Sequence, residues 1–173
     1  MNRKFVINLD GSGIDEAIKG VEECKKWLER KTDELAEKLA NKGYTVALDI
    51  MAGHVFDGET LASLQVEHVG PGQYVVKAAS RAILFLEFGT GVKGTGHPES
   101  SGFGGGTYPG QTHAFDEGGW WFPTDDPRLI RFVNKEGQGF GHSFGIAPAA
   151  PMYNGVKETE LELASIVQEV FST

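Results

Sequence analysis

Two strings in this 173-residue sequence have the residue types and spacing for chemistry. The stretch AILFLEFGTGVKGTGHP, residues 82–98, contains a GxGxxG at Gly89, Gly91 and Gly94, a pattern whose glycines let backbone close on a pyrophosphate. The stretch GHSFG, residues 141–145, has the GxSxG spacing that sets a serine nucleophile on a strand-to-helix elbow. Neither string keeps the context its chemistry needs. A pyrophosphate rests on the N-terminus of a helix that begins at the glycines, whereas these glycines run into TGHPESSGFGGG, where no helix can start. The expected acid about twenty residues on would be Asp116 or Glu117, in more loop, and no GK[ST] follows. An elbow serine leads straight into a helix, yet Pro148 and Pro151 follow Ser143, and no histidine follows it to complete a serine, acid, histidine order. A serine hydrolase using Ser143 is therefore the alternative, not the leading reading, and no cofactor is expected.

The remaining reactive side chains are scattered. His54, His68, His97, His113 and His142 show neither HExxH nor cysteine pairing. A metal site from His97, His113 and His142 would require the glycine-rich segment that carries them to fold back, so surface histidines and no metal are the expectation. The single cysteine, Cys24, has no internal partner and reads as a small apolar residue on a helix.

Charge and length narrow the classes further. Lysine and arginine number 16 against 24 acids, a net charge of −8, so the chain is poorly suited to gripping phosphates and no sequence-specific nucleic-acid binding is expected. Apolar runs fall well short of the roughly 20 residues that span a bilayer, and MNRKFVINLDG has no apolar stretch of signal-peptide length. The expectation is a soluble protein made in a reducing cytoplasm, without membrane partners.

The elements that would position these residues follow from periodicity. KFVINLD predicts a strand at Lys4–Leu9. A helix from Ile14 to Lys42 carries an apolar stripe of Ile14, Ala17, Ile18, Val21, Cys24, Leu28, Leu35 and Leu39, with Trp27 beside it and Gly43 as its end. Strands are expected at Tyr44–Ile50, Leu61–Val69 and Gln73–Ala79, the last two forming a hairpin about Gly70-Pro71-Gly72. RAILFLEF reads as a two-turn helix capped by Ser80 and ended by Gly89. Of 24 glycines, 14 lie between Gly89 and Gly141, which leaves residues 89–149 without an apolar period and predicts a long projecting arm. Within it GGWWFPTDD and RLIRFVNKEGQGFG are short extended pieces. A proline-started helix with Met152, Val156, Leu163, Val167 and Val170 facing inward closes the chain. The fold class expected is α+β: one domain over 1–173, a small, mostly antiparallel sheet packed by a long N-terminal and a C-terminal helix.

This order of parts resembles the neck, or head–tail joining, proteins of long-tailed bacteriophages, also called tail-completion proteins. LEFGTG (Leu86–Gly91) and GIAPAAPMY (Gly145–Tyr153) carry the likeness, matching a glutamate-aromatic-Gly-Thr signature and, after a variable insertion, an alanine/proline-rich start of the last helix. Members often have a proline-phenylalanine pair where this chain has Pro151-Met152-Tyr153. The resemblance implies a virion protein without an active site, assembled in the host cytoplasm into a homo-oligomeric ring, six copies ahead of twelve. Its neighbours would be head-closure or connector proteins on one side and tail terminator or tail tube proteins on the other, with genomic DNA sliding through an acidic bore. The implied interface residues are Trp27, Glu87, Phe88, Gly89, Thr90, Trp120, Trp121, Phe122, Phe132, Met152 and Tyr153. Glu87 is expected to cap the GTG amides or to pair with Arg81 or with a base of a neighbouring subunit. A glycan- or surface-binding module built on the tryptophans is a further alternative.

Overall fold

The computed structural model describes residues 11–54, 58–80, 82–91 and 118–172. The fold is α+β. The order is α1 (Gly11–Ala52), α2 (Gly58–Ala62), β1 (Gln65–Gly70), β2 (Gln73–Lys77), α3 (Ile83–Phe88), β3 (Trp120–Pro123), β4 (Phe132–Val133), β5 (Gly139–Ser143) and α4 (Pro151–Ser172). Among the described residues the strands form two separate antiparallel sheets, β1-β2 and β3-β5-β4. The chain divides into two compact units, the first comprising residues 1–46, 64–77 and 155–173, the second residues 47–63 and 78–154. The strand expected at Lys4–Leu9 lies outside the described residues.

In the first unit α4 lies against α1, and small residues set how closely. A Cβ on Gly155 would stand 2.7 Å from the carbonyl oxygen of Gly43, and one on Gly43 would stand 3.3 Å from Thr159 Oγ1. The backbones therefore meet where neither helix has a side chain. Lys42 Nζ reaches Glu162 at 2.5 Å and Lys38 Nζ reaches Glu169 at 2.6 Å. Further along, Trp27 meets Phe171 edge to face at 5.9 Å. The β1-β2 hairpin turns through Gly72, at φ 66°, whose N–H donates to Asp33 Oδ1 at 2.8 Å.

Three expectations are corrected here. Gly43 does not end the first helix: α1 continues to Ala52, so Tyr44–Ile50 is helical. Seven residues cannot separate the two periods, and Ala47 and Met51, four apart and buried, continue a helical face. Thr45, a weak helix former, turns its hydroxyl back onto the Asn41 carbonyl at 2.8 Å. Leu61 and Ala62 belong to α2, so β1 begins at Gln65. On α4 the buried positions are Pro151, Gly155, Ile166 and Val170, while Val156 and Leu163 are exposed. Of the expected inward residues Val170 is buried and Met152 and Val167 are half-buried, while Val156 and Leu163 give way to Gly155 and Ile166, since only a glycine at 155 admits the Gly43 backbone.

In the second unit the short helix expected within RAILFLEF is present as α3 (Ile83–Phe88), without the cap expected from Ser80. Helix α3 ends at Gly89, φ 72°, whose N–H donates to the Phe85 carbonyl at 2.8 Å. Ser80 does not cap this helix, which corrects the expectation: Ala82 holds the N-cap position with no side-chain cap, and Ser80 Oγ accepts from the Ala82 N–H at 3.3 Å, one residue too early to reach a helical amide. Of the segment 89–149, residues 92–117 lie outside the described residues. Of the described remainder, residues 120–143 carry the three-stranded sheet, with Trp120↔Ser143, Trp121↔His142 and Phe132↔Phe140 in register.

Candidate functional site

The residues that carry the family resemblance meet at one joint. Pro151 opens α4, and its lack of an N–H suits the first helical position. The next two amides, of Met152 and Tyr153, would be unsatisfied, and Ala150 before the proline has no side-chain oxygen to cap them. Glu87, some 65 positions earlier on α3, does so: Oε2 accepts from the Met152 N–H at 2.8 Å and Oε1 from the Tyr153 N–H at 2.9 Å. Glu87 is 8% exposed, and its carboxylate lies at the positive end of the helix dipole. The preceding residue adds backbone: the Leu86 carbonyl accepts from Ala149 at 2.9 Å and from Ala150 at 3.2 Å.

A second clasp follows directly. Thr90 and Ile146 exchange backbone hydrogen bonds at 2.9 and 3.1 Å, and Thr90 Oγ1 accepts from the Ile146 N–H at 3.2 Å. Gly145, at φ 95°, makes this approach possible, since a Cβ there would fall 1.8 Å from the Thr90 carbonyl oxygen. LEFGTG is thus one half of the joint and GIAPAAPMY the other. The amides that Glu87 holds are those of α4, which corrects the expectation that it would cap the GTG loop. Arg81 lies outside the described residues.

The GHSFG string owes its glycines to packing. Residues of β5 alternate, with Phe140 and His142 on one face and Gly139 and Gly141 on the other. A Cβ on Gly141 would lie 2.6 Å from the Phe122 ring, and one on Gly139 would lie 2.7 Å from Ile130. Ser143 Oγ accepts from the Gly145 N–H at 3.0 Å, and His142 Nε2 donates to the Gly118 carbonyl at 2.8 Å. Extended chain, not a helix, follows the serine. Among the described residues no three His, Cys, Asp or Glu side chains are placed to hold a metal ion. His97 and His113 are outside the described residues.

The opposite face of the same sheet is aromatic and open. Trp121 lies 4.5 Å from the His142 ring and meets Phe132 edge to face at 5.1 Å. Phe132 stacks on Phe140 at 5.1 Å, and His142 meets Phe144 at 4.7 Å. Trp121 is 54% exposed, and Phe132 and Phe144 are nearly as open. Cross-strand ring contacts of this kind stabilise the sheet by roughly 0.5–1 kcal/mol each and leave a ladder of ring surface facing outward.

The expected interface residues therefore separate. Trp121 and Phe132 belong to the exposed ladder. Glu87, Gly89 and Thr90 are buried in the joint, with Phe88, Met152 and Tyr153 half-buried. Trp120 and Phe122 are half-buried in the sheet, and Trp27 packs on Phe171. Sequence reasoning missed Phe140, His142 and Phe144; the signal was their strict spacing of two, obscured by the serine-hydrolase pattern overlapping them. Comparison of the chain with protein-family models, with curated proteins and with solved structures gives no match.

Proposed function

We propose that this chain is a structural subunit of a bacteriophage neck, assembling as a ring that joins the DNA-filled head to the tail and lets the genome pass. The observation that carries the reading is the joint: the two stretches that resemble the head–tail joining family, far apart in sequence, interlock through Glu87 and the first amides of α4. The signature glutamate has a reason to accompany an alanine/proline-rich helix start that cannot cap itself.

Two further features support a subunit whose work is contact. The ladder of Trp121, Phe132 and Phe144 exposes aromatic surface of the kind that supplies much of the energy of protein interfaces. The net charge of −8 suits a bore through which a polyanion slides without sticking. A ring needs a heterologous contact, one patch meeting a different patch on the next copy, and the aromatic face is assigned as one side of it. Six copies match the symmetry usual in tails.

The test at this site is Trp121→Ala with Phe132→Ala. Both side chains are exposed, so the variant is expected to keep its fold while losing ring formation by native mass spectrometry and complementation of head–tail joining. Rings of unchanged mass would remove the aromatic face from the assembly. Saturable binding to a glycan array, abolished by Trp121→Ala, would favour a surface-binding module instead.

A further inference from the structure

Helix α1 carries an apolar seam that nothing in the described chain covers. Helix α4 follows α1 only as far as the ring contact of Phe171 with Trp27, one residue before α4 ends at Ser172. Trp27 lies beside the stripe, so α4 departs along the edge of α1. Ile14, Ile18, Val21 and Leu28 are left about half exposed, Val21 at 59%. Ile14, Val21 and Leu28 are spaced by seven, the repeat by which one helix packs into the holes of another. The seam is about 21 Å long at 1.5 Å per residue.

We propose that this seam is closed by the same seam of a second copy of the chain, the two α1 helices lying antiparallel with Val21 at the centre. That register brings Ile14 of each helix to Leu28 of the other and Ile18 to the half-buried Cys24. Charge argues for the same arrangement. Before Cys24 the helix bears Asp15, Glu16, Glu22 and Glu23 against Lys19; after it come Lys25, Lys26 and Arg30 against Glu29. An antiparallel pair sets the acidic half of each helix beside the basic half of the other. A parallel pair would align like with like, at a cost in both halves. The helix dipoles also oppose one another in the antiparallel pair.

Four half-exposed side chains bury much less than the about 800 Å² per partner of a standard interface, so the pair is a weak and reversible one. It stands on α1 alone and does not depend on the neck assignment: the isolated chain forms it whether or not it joins heads to tails. It is two-fold, whereas the ring contact is heterologous, so the two surfaces are lost independently.

Sedimentation equilibrium of the purified full chain at micromolar concentrations tests it. The wild type is expected to associate, with the dissociation constant rising as salt is added. Val21→Glu should raise that constant at least tenfold while helix content and melting temperature stay unchanged. In a second measurement, mild oxidation of Val21→Cys in a Cys24→Ser background should give disulfide-linked dimers, and this decides the matter if Val21→Glu perturbs the fold. A wild type without association, or association indifferent to Val21→Glu, overturns the proposal. So does faster cross-linking through native Cys24, which reports a parallel pair, or through Leu163→Cys with Cys24→Ser, which places the partner on α4.

Discussion

At the scale of single residues, the joint depends on groups whose replacement removes something nameable. Glu87→Gln keeps one acceptor oxygen and loses the charge, and Glu87→Ala leaves two helix-terminal amides without their carboxylate. Losses of about 1–2 and 2–3 kcal/mol are expected, since a charged hydrogen bond contributes about 1.5–3 kcal/mol and a cap about 1. Urea denaturation measures both; equal stability of the three proteins would mean that water caps the helix as well. Ala150, buried and at φ 51°, holds a left-handed conformation just before a proline. A side chain there costs roughly 1–2 kcal/mol, so Ala150→Gly is expected to stabilise by up to about 1 kcal/mol after the entropy of the freer unfolded chain is subtracted. A loss of stability on that change would show that the backbone is not strained. Asp126 is a titration marker. The side-chain hydrogen bond from Arg128, then the Arg128 backbone N–H, hold its carboxyl at about 2, below the ordinary 3.8. A depressed acid favours the folded state above pH 3.8, and that contribution fades as pH falls towards 2. Carboxyl NMR should find this midpoint, returning towards 3.8 in Arg128→Ala.

At the scale of elements, the close crossing of α1 and α4 depends on Gly155. A Cβ there enters the space of the Gly43 carbonyl, so Gly155→Leu should separate the helices and cost at least about 1–3 kcal/mol, the usual penalty for overpacking. Val156→Ala, on the exposed shoulder of the same helix, should change stability by less than about 0.5 kcal/mol. Thermal unfolding of the two variants compares them; a larger loss from Val156→Ala would restore the inward face that hydropathy alone suggests. The same pair shows what was legible in the sequence. Helix α4, its proline start, the β1-β2 hairpin and the short α3 ended by Gly89 could be read because their signals are local: turn residues, caps and an apolar period. The inward face of α4 could not, because it is chosen by a glycine 112 positions away on α1. Tyr44–Ile50 misleads for a related reason, since its β-branched residues speak locally for a strand while Ala47 and Met51 are recruited to a helical face by burial. Glu87 stood out as a residue packing could not explain, but its partners lie in another element, and no spacing rule connects a side chain to amides 65 residues on.

At the scale of the whole molecule, the described parts of the two catalytic-looking strings take part in packing and backbone pairing. Three described glycines of the catalytic-looking strings have structural reasons: Gly89 ends α3 at φ 72°, Gly141 leaves room for the Phe122 ring, and Gly145 admits the Thr90 backbone. If the chain is a neck subunit, its absence leaves capsids and tails individually intact and only their union fails. The direct measurement is negative-stain microscopy of particles made when this reading frame is deleted from the genome that carries it. Full heads and free tails, rejoined when the wild-type chain is supplied and not when Trp121→Ala/Phe132→Ala is supplied, are the predicted result; normally joined virions from the deletion would contradict the account.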